Sequence, residues 1–210
     1  RHNEDPNLLE IRRAEDGLRA WASEPGEYYN GFDGSYGGLW RRNGRAPQQV
    51  VGVGFTAQGT FDGMPYKRLC YDKNFDWVFE GIEDEIIGDF GFSGNGAAGF
   101  ELDRTDPKLN PGHRITVLAQ SFASDEKFIL VPEEQLTHLT NLSGGPESEV
   151  KRADMIYFET PTGGRVFSVG SITFCGSLPW NNFENNVSRL LLNVLSRSLR
   201  NLVSGTTGQV

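Results

Sequence analysis

The chain is poor in the residues that most often announce chemistry. It has two cysteines, Cys70 and Cys175, far apart and outside any C-x-x-C pair. A disulfide framework is therefore excluded, and a reducing cytoplasm is the expected compartment. Its three histidines, His2, His113 and His138, belong to no H-E-x-x-H or Cys/His cluster, which argues against a zinc site. Serine never stands in G-x-S-x-G. No apolar run approaches the ~18 residues of a membrane span, and the polar start Arg1-His2-Asn3-Glu4 has no signal-peptide core. Clustered base is also missing: Arg41-Arg42 and Lys151-Arg152 are among the densest pairs in a chain of net charge −8. Counterion release at a phosphate backbone needs more than that, so nucleic acid and anionic membrane are not expected partners. The chain begins on arginine and not on methionine, and is expected to be a processed or excised piece.

What is present is a core and many turns. The 210 residues suit one domain, 1–210. A hydrophobic content of 37% is too high for a disordered chain. Residues 8–14 read as a strand, and residues 23–49, rich in Gly, Tyr and Asn, as a long irregular loop. Tyr28, Tyr29, Phe32, Tyr36 and Trp40 in that loop need a surface to pack on: a pocket wall or an interface. Strands are further expected at 50–55, 75–82, 114–121, 127–131, 153–159 and 165–174, with Pro161-Thr162-Gly163-Gly164 turning a hairpin. One long helix is expected over 183–202, where Val187, Leu190, Leu191, Val194, Leu195, Leu199 and Leu202 share a face. Asn181 or Asn182 would cap its start, and Gly205 would stop it. The fold class is thus α/β: a layered, strand-rich sheet packed by a long C-terminal helix, incomplete without upstream segments.

Residues 93–104 concentrate the polar interest. Gly94-Asn95-Gly96-Ala97-Ala98-Gly99 matches G-x-G-x-x-G in form only, because Pro107 follows too closely for the helix a dinucleotide fingerprint requires. The run reads better as a tight bend that presents Glu101, Asp103 and Arg104. Glu101 and Asp103 share one face if they lie on a strand, and one of them is expected to pair with Arg104 or Arg114. Glu159 ends an apolar strand. It either enters a cleft with a raised pKa, fit for acid or base work, or simply faces solvent. Cys175 ends an expected strand, where a reactive thiol could be displayed, but a buried core cysteine is the expected reading. The four asparagines Asn181, Asn182, Asn185 and Asn186 exceed what one helix cap needs.

Several stretches together resemble a known family: Arg12 to Gly17, Pro25 to Tyr29, Tyr36 to Arg41, Val51 to Gly59, Gly94 to Arg104, Asp154 to Thr160, and Val169 to Arg189. They are similar to the C-terminal part of the N,N-dimethylformamidase large subunit. The resemblance implies a fold similar to class I glutamine amidotransferases and hydrolysis of a small amide's C–N bond. It also implies a mononuclear iron held by two tyrosines and a glutamate, and an oligomer with a small partner subunit. Ser35 falls where the family has its glutamate ligand, and Asp33 where it has a histidine, so Asp33 is the candidate ligand or base. Glu159 falls at a family position expected to act in catalysis. Tyr36, Trp40, Glu101 and Asn182 are the candidate substrate-binding residues. The alternatives are a non-catalytic homologue that serves as a binding or assembly subunit and, on exposed aromatics alone, a sugar-binding protein.

Overall fold

A computed structural model describes residues 41, 44–110, 112–123, 127–131, 134 and 147–205. In chain order the elements are α1 (Gln48–Val51), β1 (Gly54–Gly59), β2 (Tyr66–Arg68), a 3-10 helix (Lys73–Phe79), β3 (Ile86–Ile87), β4 (Glu101–Arg104), β5 (Thr116–Phe122) and β6 (Phe128–Leu130). Then come α2 (Glu147–Val150), β7 (Arg152–Glu159), β8 (Arg165–Ser168), α3 (Phe174–Ser177), a second 3-10 turn (Trp180–Phe183) and α4 (Asn186–Gly205). The strands form two sheets, β4-β1-β6 and β3-β2-β5-β7-β8. Every strand pairing among the described residues is antiparallel. The mixed α/β class and the long C-terminal helix are as the sequence suggests. The expected strand 8–14 and the loop up to residue 40 lie outside the described residues.

Strand β7 organises both layers. Residues 153–158 of its sequence are buried on both faces, which marks a strand covered from both sides. Ala153, Met155 and Tyr157 join the main core, where Val187, Leu190 and Val194 of α4 also pack. Ile156 and Phe158 face the other way and form a smaller cluster with Val53. The fully buried Asp154 lies on that second face and accepts from Thr105 N–H (2.7 Å), Thr105 Oγ1 (2.7 Å), Gln120 Nε2 (2.8 Å) and Arg152 Nε (2.9 Å). Thr105 follows β4, so this carboxylate ties the three-stranded sheet to the five-stranded one. Beside it, Arg104 is buried between Asp106 (3.2 Å) and Glu134.

Three local expectations need correction. The strand at 50–55 begins only at Gly54, because Gln48–Val51 makes a helical turn closed by Gly52 at φ 80°. That left-handed cap favours glycine because L side chains rarely adopt φ near 80°, and a Cβ there would also crowd Ile156 Cδ1 at 2.5 Å. The strand expected at 75–82 is a 3-10 helix, opened by Asp72, whose side chain accepts from Asn74 N–H. Its Phe75 and Trp77 meet Tyr157 edge-on, so their two-residue spacing comes from a tertiary contact and not from a pleat. The expected strand 165–174 stops at Ser168, and the chain turns at Gly170, φ 67°, against the Asp103 carbonyl.

The C-terminal helix begins at Asn186, and its cap is neither Asn181 nor Asn182. Asn185 Oδ1 accepts from Ser188 N–H (2.8 Å). Of the expected apolar face, Val187, Leu190 and Val194 are buried, while Leu195 and Leu199 are exposed. Asn193 reaches the carbonyls of Val78 and Glu80 and fastens the helix to the first 3-10 segment. No helix of the described residues is long and apolar enough to cross a membrane.

Removing the Asp154 carboxylate takes the acceptor from two buried donors on Thr105 and from two half-buried ones on Gln120 and Arg152. Asp154→Ala is expected to cost about 3–5 kcal/mol in equilibrium unfolding. Asn185→Ala, which loses one cap, is expected to cost about 1 kcal/mol. Urea titration of both variants checks the ranking.

Candidate functional site

The glycine-rich bend is built by backbone contact. A Cβ on Gly94 would sit 1.0 Å from the Phe61 carbonyl oxygen, and one on Gly96 2.4 Å from the Gly63 carbonyl carbon. The bend also bonds to this segment, through Met64 N–H to Ala98 O (2.7 Å) and Ala98 N–H to Met64 O (2.9 Å). A strand follows it, not a helix. The G-x-G-x-x-G pattern thus serves close chain packing and not a pyrophosphate. Phe100, at φ 61°, stacks on Phe61 at 4.2 Å and delivers the chain into β4.

Along β4 the period of two is explicit. Leu102 and Arg104 are buried, while Glu101 and Asp103 share the half-buried face. Both carboxylates line a cavity of about 520 Å³, with Phe167, Ser171, Cys175 and Leu191 among its other walls. The expected pairing of Glu101 or Asp103 with Arg104 or Arg114 is not found among the described residues: Arg104 points to the opposite face and binds Asp106 and Glu134. Burial, and then the neighbouring Glu101 charge, push the Asp103 carboxyl up to about 7. Asp103 N–H donates to Gly170 O (2.8 Å), which fixes the residue against the turn after β8. Beneath it the Tyr66 hydroxyl donates to Val169 O. Burial first, then Asp103 and Asp154, hold that phenol well above its usual pKa. The face carries one carboxyl poised to exchange a proton near neutrality and one neighbouring carboxylate that tunes it.

The other predicted residues are placed apart from this pair. Glu159 does not line the cavity. Its side chain is 58% exposed at the end of β7 and accepts from Tyr157 OH (2.9 Å) and Arg165 Nε (3.2 Å). Those two bonds lower its pKa, so of the two readings offered by the sequence the solvent-facing one holds. Burial, and then the bond to Glu159, push Tyr157 up to about 12. Asn182 is exposed in a left-handed turn, φ 54° and ψ 38°, beside a different cavity. The surplus of asparagines is explained there. Asn181 and Asn182 tolerate the left-handed backbone, Asn185 caps α4, and Asn186 bonds Asp84, the Ile86 carbonyl and Gly88 N–H. Cys175 is exposed, against expectation, and Cys70 is the buried cysteine. Chain position alone could not show that α3 lifts Cys175 to the cavity wall.

The family described as N,N-dimethylformamidase beta subunit-like, C-terminal, matches residues 1–186. The chain belongs to this family. It is 40% identical over 205 residues to an N,N-dimethylformamidase beta subunit of Paracoccus aminophilus, covering 95% of this chain and 26% of that protein. To the beta subunit of an Alcaligenes species it is 38% identical over the same lengths. The chain therefore spans about a quarter of these relatives. The expected resemblance to a large subunit is corrected by these names, which are those of beta subunits.

Within this dimethylformamidase beta-subunit-like chain, the candidates Asp33, Ser35, Tyr36 and Trp40 lie outside the described residues. Among the described residues no group of three or more His, Cys, Asp or Glu side chains could hold a metal ion. The iron ligands that the resemblance implies are two tyrosines and a glutamate, and the candidate positions for such a site, Asp33 and Ser35, are among those outside the described residues.

Asp103 keeps its proton to about pH 7 when folded, against an ordinary value of 3.8. Between these values the folded state binds the extra proton, so this group makes stability fall as pH rises from about 4 to 7. Carbon-13 NMR of the Asp103 carboxyl is expected to show the raised midpoint. Glu101→Gln is expected to lower it only in part, since burial is the larger cause. A midpoint in the ordinary carboxylate range would refute the poised pair.

Proposed function

We propose that residues 1–210 are the C-terminal part of a larger subunit, in a complex that hydrolyses the C–N bond of a small amide such as dimethylformamide. Family membership and the names of the relatives support the substrate class. The single observation that carries the site is the Glu101–Asp103 pair on one wall, with Asp103 near pKa 7. Amide hydrolysis adds water to the carbonyl carbon and breaks the C–N bond. The departing nitrogen must receive a proton. Asp103 is suited to give one at neutral pH, and Glu101 keeps that proton available by its charge. Tyr66, held neutral by burial, supports the cavity wall from behind through its bond to Val169 O. The resemblance adds Asp33, Ser35, Tyr36 and Trp40 as further contributors and iron as a candidate cofactor. No step is assigned to iron, because its candidate ligand positions, Asp33 and Ser35, lie outside the described residues. Glu159, ionised and bound to Arg165, serves in this reading to hold the β7–β8 hairpin end.

A second reading is an assembly subunit without catalysis. Leu192, Leu195 and Leu199 stand exposed on α4, a surface suited to another chain of an oligomer.

The two readings separate in the full-length protein with its partner chains, by dimethylamine release from dimethylformamide. Asp103→Asn is expected to lower kcat about 100-fold or more with little change in KM, and Glu101→Gln to shift the pH profile of kcat. Wild-type activity in Asp103→Asn at unchanged circular dichroism favours another site. Absence of turnover in the intact wild-type complex favours the assembly reading. Iron stoichiometry in Asp33→Ala, measured alongside, tests the cofactor by a readout independent of rate.

A further inference from the structure

A second cavity, of about 770 Å³, opens between the turn at Trp180 and the segment from Asp84 to Phe92. Its chemistry differs from that of the Glu101–Asp103 wall. One side is aromatic: Trp180 stacks with Phe90 at 5.9 Å and leans on Phe92 at 5.1 Å. These rings are not all core, since Phe92 is 70% exposed and Trp180 37%. The rim carries the carboxylates of Asp84, Glu85, Asp89 and Glu184, and among the described residues no Lys, Arg or His lines the cavity. Asn186 Nδ2 donates to Asp84, and Tyr71 OH donates to Glu85. Asp89 and Glu184 accept no side-chain bond from any described residue.

We infer that this cavity binds an organic ammonium ion. Aromatic faces attract a cation through their negative quadrupole, most strongly when its alkyl groups displace water from the rings. Carboxylates that crowd one rim without a countercharge favour the same ligand. A hydrated metal ion would use the carboxylates and gain nothing from the rings. A neutral apolar ligand would use the rings and gain nothing from the rim. Only a cation with an apolar coat uses both. The local backbone presents this wall: Asn181, Asn182 and Phe183 all have positive φ, between 49° and 67°, and this left-handed turn carries Trp180 at its start. The ammonium group can come from a free small ion or from a lysine side chain of a partner protein. The recognition chemistry is shared.

The test uses the intact protein at fixed ionic strength, with binding read by calorimetry. The probes are choline, its uncharged carbon isostere 3,3-dimethylbutan-1-ol, and a short trimethyl-lysine peptide. Choline or the peptide is expected to bind saturably, and the isostere about ten-fold more weakly or worse. Trp180→Ala is expected to reduce cation binding about ten-fold. Asp89→Asn combined with Glu184→Gln is expected to do the same while leaving the rings in place. Tighter binding of choline assigns the free ion as source, and tighter binding of the peptide assigns the side chain. Equal binding of choline and its isostere, no binding of either cation, or wild-type affinity in the carboxylate double variant overturns the inference. None of these outcomes depends on amide hydrolysis.

Discussion

The buried Asp154 carboxylate receives hydrogen bonds from Thr105, Gln120 and Arg152, and those bonds reach across both sheets. A carboxylate this deep is tolerable only when nearly every lone pair is met. Meeting them fixes where β4 ends and how it lies on β7. Since Glu101 and Asp103 occupy the alternate face of the same short strand, the direction of both follows from that anchoring. Arg104, with Asp106 and Glu134, repeats the logic one position earlier. The polar interior is therefore more than a stabilising cluster: it sets the geometry of the cavity wall.

Steric exclusion supplies the second constraint. The contact between Gly94 and the Phe61 carbonyl, and the turn of Gly170 against Asp103, bring main chain so close to main chain that a side chain has no place. These contacts clamp β4 at both margins, from the bend before it and from the turn after β8. Crowding of this kind is rigid, and rigidity keeps Asp103 half-buried beside Glu101 and sustains its raised pKa.

Much of this could be read in the chain before any coordinates. The strands β5 and β7, the hairpin at Pro161–Gly164, the amphipathic C-terminal helix and the shared face of Glu101 and Asp103 all follow from composition, period and turn chemistry. The misread parts have specific causes. Phe75 and Trp77 alternate because both meet Tyr157, which only the folded chain reveals. Val50 and Val51 have strand-forming side chains, but Gly52 closes them into a helical turn. The shared face of the candidate site's carboxylates was legible, and its boundaries were not. Glu159 sits next to a proline turn, as a cleft acid would, yet Tyr157 and Arg165 hold it ionised in solvent. Long-range partners decide such outcomes, and they leave no local trace in sequence.

The two cysteines carry a practical corollary. Cys70 is enclosed, while Cys175 is open to solvent on the wall it shares with Asp103. A maleimide dye applied to the folded chain would thus attach at one address, next to the carboxylate pair. The molecule comes with its own attachment point for a spectroscopic reporter on that cavity, and needs no engineered thiol to carry one.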